Sequence, residues 1–188
     1  MIRLATLEDL SIIKDIYAHA RSFMALTGNP NQWINNYPSI DILSNDLDKK
    51  QLYVCYDESG IYGVFVFFLG IDETYNYIEG KWLNDEPYGV IHRIASSGIK
   101  KGMFSEVFEY VTKFSANIRI DTHHDNLVMQ KVLNKHGFMK CGVIYLKNGN
   151  PRLAYHYEKG KNNEWFILYW YTCSFKWWKV TYSFRWGN

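Results

Sequence analysis

Three short stretches of this chain set reactive side chains beside the ends of regular elements, where backbone and side chain can act on one ligand. In RIASSGIKKGMF, residues 93–104, Lys100 and Lys101 stand before Gly102 and a helical pattern. Two cations ahead of a helix suit an anion, because the helix's orphan N–H groups and positive dipole end add to the ammonium charge. The plainer reading is a solvated loop. In IDTHHDNL, residues 120–127, Asn126 sits where an amide can cap a helix and also reach a ligand, or can serve as a cap alone. His123 and His124 look like a metal pair. Adjacent histidines at a strand end point apart, however, and no cysteine or carboxylate cluster has suitable spacing, so no metal is expected. His92, inside the run GVIHRIAS, is a candidate proton acceptor, since histidine titrates near neutrality; the alternative is a half-buried core residue.

Periodicity gives the elements that must hold these residues. Ile118 and Ile120 alternate with polar neighbours as in a strand, and Val128, Met129, Val132 and Leu133 recur at helical spacing behind Asp125 as N-cap. Gly137 stops that helix, and a strand follows from Phe138 through Tyr145. Upstream, residues 2–5 read as a strand, Thr6 caps a helix that ends near Gly28, and Ser39 caps a second helix. QLYVCYD and GIYGVFVFFLG form a hairpin through Glu58, Ser59 and Gly60, and the second of these strands is apolar on both faces, hence central. After a Tyr-rich stretch from Asp72 to Pro87 come the strand GVIHRIAS, a helix over 102–115 with Phe104, Val107, Phe108, Val111 and Phe114 buried, and a last strand, RLAYHYE, at 152–158.

This order, together with Asn126, Lys135, Gly137 and Phe138, resembles the GNAT superfamily of N-acetyltransferases. The family's segment runs from Asn to a small residue, a Tyr, then Glu-Lys-x-Gly-Phe; here Met129 replaces the small residue and Leu133 the Tyr. The resemblance spans residues 1–158 and implies an α/β domain with the GNAT acyl-CoA N-acyltransferase fold, a mixed, mostly antiparallel central sheet with helices on both faces. It implies acetyl transfer from acetyl-CoA, as cosubstrate, to the primary amine of a small or amino-acid-like acceptor by direct attack. The alternative is a GNAT-fold protein that binds acyl-CoA, or a protein partner, without turnover.

Residue by residue, the resemblance lays the pantetheine arm along Ile94, Ala95 and Ser96 and the pyrophosphate over Lys100, Lys101, Gly102 and Met103, with Asn126 a further cofactor contact. The family's phosphate loop reads Q/R-x-x-G-x-G/A. Here only the middle glycine, Gly102, remains; the lysines stand in for the arginine, and Phe104 replaces a small residue, so that it either narrows the phosphate site or points into the core. His92 is the candidate base, Tyr145 the candidate substitute for the acid lost at Leu133, and Trp33 and Tyr37 the candidate acceptor wall.

With 188 residues, 47% hydrophobic, the chain can bury one sizeable core, assigned to residues 1–158. Residues 159–188 form an aromatic-rich extension holding five of the seven tryptophans, and read as an interface, as added edge strands, or as a segment with no selected role. A net charge of +2 gives no reason to expect nucleic acid. Three scattered cysteines, Cys55, Cys141 and Cys173, indicate neither a disulfide framework nor zinc and fit a reducing cytoplasm. The opening MIRLATLEDL is charged and lacks a long apolar run, so no signal peptide and no membrane partner are expected. A small-molecule amine is the expected partner, and a homodimer is left open.

Overall fold

Val64 and Val66 alternate with Phe65 and Phe67 along one strand, and all four are buried, so that strand needs an apolar layer on each face. The computed structural model, which describes residues 1–160, supplies both layers. The element order is β1 (Ile2–Leu4), α1 (Leu10–Leu26), α2 (Ile40–Asp48), β2 (Leu52–Asp57), β3 (Gly60–Leu69), β4 (Glu79–Gly80), β5 (Gly89–Ser96), α3 (Met103–Val111), β6 (Asn117–Thr122), α4 (Leu127–Lys135), β7 (Met139–Tyr145) and β8 (Pro151–Glu158). These strands make one sheet in the order β1-β2-β3-β5-β6-β8-β7-β4. Every neighbouring pair is antiparallel except β5 with β6. Met1–Glu158 form one compact unit.

The valine face of β3 packs with Leu52 and Val54 against Ile13, Ile16 and Tyr17 of α1 and Leu43 of α2. Its phenylalanine face joins Ile91, Ile118 and Ile120 beneath Val107 and Val111 of α3 and Leu133 of α4. Helices on both faces of a mostly antiparallel sheet are therefore observed. A third cluster, around Tyr75, Trp82, Val90, Ile144 and Ala154, forms where the Tyr-rich stretch folds back over the sheet.

Local chemistry sets the ends of the helices. Ser39 accepts a hydrogen bond from the Ile42 amide and starts α2, as its type and place predict. Thr6 starts a 3-10 turn, Leu7–Asp9, ahead of α1 rather than α1 itself, and the Asp9 carboxylate takes the Thr6 amide while pairing with Arg3. At α4 the cap is Asn126, not Asp125: its Oδ1 accepts from the Met129 amide at 3.0 Å. Helix α3 ends at Val111, short of the expected residue 115, and leaves Phe114 exposed rather than buried. Strand β4 lies inside the Tyr-rich stretch, where no strand was expected; its two residues are too few to show a period. Gly80 and Gly142 allow it to dock on β7, since a Cβ on either would collide with the facing backbone. The expectations for residues 161–188 lie outside the described residues.

Candidate active site

The parallel pairing of β5 with β6 runs from Gly89↔Ile118 to Ile91↔Ile120 and stops there. Beyond it β5 stays with β3 as far as Ser96, while β6 stays with β8 through Asp121↔Ala154 and Thr122↔Leu153. The two strands therefore part at His92 and Asp121. A bulge causes the parting: between the pairs Val64↔Ala95 and Val66↔His92, β5 carries one residue more than β3. Within that bulge Arg93 adopts φ 49, a conformation that costs an ordinary residue about 1–3 kcal/mol. Its side chain offsets that cost. The guanidinium grips Asp46 as a fork, Nε to Oδ2 at 3.0 Å and Nη2 to Oδ1 at 2.8 Å, and donates to the Tyr37 hydroxyl at 3.2 Å. The Arg93 carbonyl accepts from Tyr17. Among the described residues, this leaves the β6-facing edge of Ile94–Ser96 without a strand partner.

His92 sits in the mouth of the gap, its Nε2 2.7 Å from Asp72 Oδ2 and its Nδ1 3.4 Å from Asp121 Oδ1. Burial pushes the Asp72 carboxyl up, but the hydrogen bond and charge of His92, with the Thr74 hydroxyl and amide, outweigh it and hold Asp72 well below the usual carboxylate range. Asp72 is thus a fixed anion. Burial, followed by the charges of Asp121 and Asp72, pushes the Tyr75 hydroxyl well above its ordinary range, so it stays protonated and donates to Asp121 at 2.9 Å. When the ring is neutral, an ionised Asp72 accepts the proton on Nε2, which leaves Nδ1 as an acceptor beside the Asp121 carboxyl. Together these two acceptors can take a proton.

On the other side of the gap, Ile94 packs toward α3 and α4 while Ala95 is buried beneath α1, so Ala95 offers a ligand its backbone only. The Ser96 hydroxyl accepts from the Gly98 amide. Gly102 starts α3 at φ 84, with no heavy atom within 4 Å of where a Cβ would stand, so the backbone here is open to close approach. Met103 is buried. Phe104 stacks on Phe108 and meets the rings of His136 and Phe138 edge-on, so it points into the core rather than toward the expected phosphate position. Lys100 already has partners: Glu106 at 3.2 Å, Asp57 at 3.6 Å, and both the hydroxyl and the ring of Tyr62. Lys101 is exposed and has no ion pair among the described residues.

The loop between α1 and α2 stands over the same end of the sheet. Trp33 packs edge-on to Tyr17 and tilts against Tyr37, whose hydroxyl meets Arg93. Asn126 both caps α4 and donates to Gln32 Oε1 at 2.9 Å, linking the cap to this loop. Tyr145 is not brought to the site. It lies on β7, three strands from β5 and so roughly 14 Å away by sheet spacing, and its hydroxyl donates to Glu79 at the sheet edge. The ring centroids of His123 and His124 are 4.2 Å apart, with the Asp125 carboxylate 3.4 Å and 3.0 Å from their nitrogens, so they do not point apart as expected. Strand β6 ends at Thr122, and strict alternation ends with it. That group offers three ligand atoms, one short of a closed tetrahedral set.

No protein-family model and no curated protein matches the chain. Among solved structures, a GNAT-family acetyltransferase from Streptococcus agalactiae 2603 superposes with a TM-score of 0.76 and 32% identity, over 86% of this chain and 96% of that one. The chain belongs to the GNAT family of acetyltransferases. A Staphylococcus aureus Mu50 protein is 29% identical over 84% of this chain and 98% of that one, with a TM-score of 0.62. A GNAT-family acetyltransferase from Bacillus cereus ATCC 10987 shares the fold at 20% identity and a TM-score of 0.55, covering 85% and 96% of the two chains.

As a GNAT acetyltransferase the protein departs from its family most clearly at Leu133, which is fully buried in the core between α4 and the sheet. Restoring the family's tyrosine there should not restore an acid. Leu133→Tyr is expected to destabilise the protein by about 1–3 kcal/mol through overpacking and to leave turnover no higher, as read by thermal melting beside a thiol-release assay. A stable variant with raised turnover would show that a hydroxyl at this position reaches the site. Asp72, Asp121, Asp46 and Arg152 escaped the sequence reading, because each stands alone in its loop, strand or helix and meets groups far along the chain. Among the described residues, no helix is long and apolar enough to cross a membrane.

Proposed function

We propose that this GNAT protein transfers the acetyl group of acetyl-CoA to the primary amine of a small molecule by direct attack, forming the N–C bond and releasing the thiol. The observation that carries the reading is His92, held between two carboxylates at the mouth of the gap where β5 leaves β6. Asp72 fixes the ring. Nδ1 and Asp121 accept the proton that the amine must lose before it can act as a nucleophile. Trp33 and Tyr37 wall the acceptor side, and the unpaired edge of Ile94–Ser96 can hydrogen-bond an extended arm.

Acetyl-CoA would supply the activated acetyl group, and the residues present fit it. Gly102 leaves open space at a helix start, where amide N–H groups and the dipole favour pyrophosphate. Lys101 adds an unpaired cation. Leu133 is apolar and Tyr145 lies on β7, so neither takes the place of the family's tyrosine acid, and in this reading the thiolate leaves without general-acid help. Small-molecule acceptors and a cytoplasmic setting complete the reading.

The test is release of free thiol from acetyl-CoA against a panel of amines, with calorimetry of acetyl-CoA binding alongside. Lys101→Glu is expected to weaken acetyl-CoA binding roughly tenfold, the scale of reversing an exposed charge beside an anion, and added salt should weaken it in the parent. Unchanged affinity in both would remove the phosphate from this loop. Tight acetyl-CoA binding with no thiol release from any amine would replace the enzyme by a binding protein.

A further inference from the structure

Arg152 lies on β8 one residue before Leu153, the register partner of Thr122, and so at the same end of the sheet as His92 and Asp121. It is 7% exposed. Among the described residues no carboxylate oxygen comes within 4.0 Å of its guanidinium. Among the described residues, two of its five N–H donors meet protein acceptors, and both of these are backbone carbonyls: Pro151 at 2.9 Å and, weakly, Gln32 at 3.5 Å. Of the other arginines near the sheet, Arg93 is half-buried, and Arg119 is buried with a donor bond to the Asn84 carbonyl and an Nε that has no hydrogen-bond partner among the described residues. Arg93 has its fork on Asp46, and Arg119 lies between the rings of Trp82 and Tyr88.

Burying a guanidinium without an anion is costly, and the electrostatics around Arg152 register that cost. Burial pulls it below the ordinary arginine range, with Asp121 and Tyr37 opposing; its charge in turn helps, after burial, to lower His123. Asp121 does not close the pair, because its Oδ1 faces Tyr75 and His92. The acceptor end therefore has two poles. Asp121 with Asp72 and His92 makes an acceptor cluster, and Arg152, under Gln32 and Tyr37, is a planar cation with free donors.

We propose that the acceptor is an amino acid or a close analogue, whose carboxylate docks on the Arg152 fork while its amine faces His92 and Asp121. A guanidinium matches a carboxylate through two parallel hydrogen bonds, which fixes the orientation of the acceptor as well as its affinity. The inference rests on the transfer reading above and narrows its acceptor.

The experiment compares α-amino acids, their carboxamides and the corresponding decarboxylated amines in the thiol-release assay on the full chain. The parent is expected to prefer the acids by roughly 10- to 100-fold in kcat/KM, the scale of hydrogen bonds to a charged group. Arg152→Gln should lower kcat/KM for the acids toward that of the amides, with acetyl-CoA affinity unchanged. Arg152→Lys, which keeps the charge without the fork, should give an intermediate preference, and it carries the comparison if Arg152→Gln does not fold. Equal use of acids and amides by the parent overturns the inference. So does an equal loss for both in the variants, which would make Arg152 a structural brace. Should no amine release thiol, the transfer reading fails by itself. Amino acids that raise the parent's melting temperature, without effect from their amides or in the Arg152 variants, would then still support the docking, and no such rise would overturn it.

Discussion

His92→Ala lowers turnover by about 10²–10⁴-fold, the usual contribution of a positioned proton acceptor, and leaves acetyl-CoA affinity unchanged. The split follows from position, because the ring sits in the mouth of the gap between Asp72 and Asp121 while the proposed phosphate position is the start of α3. Asp72 stays ionised through the neutral range. Its carboxyl is held well below the usual range, so whatever it contributes to stability is complete above the ordinary carboxylate pKa of about 4 and is lost only as pH falls through its depressed folded value. Steady-state kinetics with calorimetry checks the split. Full turnover in a variant that melts early would make His92 a core residue and move the base elsewhere.

Asp46→Ala should be the most damaging of the stability changes. Asp46 is 1% exposed and carries both arms of the Arg93 fork, so its removal leaves a largely buried guanidinium whose remaining side-chain partner is the Tyr37 hydroxyl. Breaking such a pair costs about 3–5 kcal/mol, or roughly 6–20 °C in melting temperature for a domain of this size. Arg93 also stands at the bulge, so loss of its anchor frees the φ 49 conformation that sends β5 away from β6. Thiol release should therefore fall further than the fraction of unfolded protein accounts for. Urea and thermal melting measure the first effect, and a shift of about 1 °C or less, equivalent to under ~0.5 kcal/mol, would mean the fork carries little of the fold.

The frame of this site was legible because burial writes a period into sequence. GVIHRIAS is strand β5 from end to end, and the doubly apolar run of β3 gave its central place and its two helical layers. Capping chemistry was legible to within one residue: Asp125 and Asn126 are both good caps, and only the fold selects the one whose side chain faces the Met129 amide. Phe104 had two readings, and the neighbouring rings of Phe108, His136 and Phe138 decided for the core. The chemistry at the gap left almost no local trace. In NIRIDT, Asp121 reads as an ordinary polar position of an alternating strand, and Asp72 lies in a stretch with no period. They become a site because the strands part beside His92, and the bulge that parts them comes from a backbone conformation that no residue type announces.

Three register pairs are all that join β5 to β6, so in backbone terms the sheet is two four-stranded blocks sharing a short seam. The apolar layer under α3 and α4 spans both blocks and keeps them one body. An extended arm laid in the gap would act as a keystone, continuing the seam where the ladder stops. Ligand at a hundred times its dissociation constant adds about 2.7 kcal/mol to the native state. Here that increment would fall on the three-rung seam between the two blocks, so the loaded protein would resist parting along it.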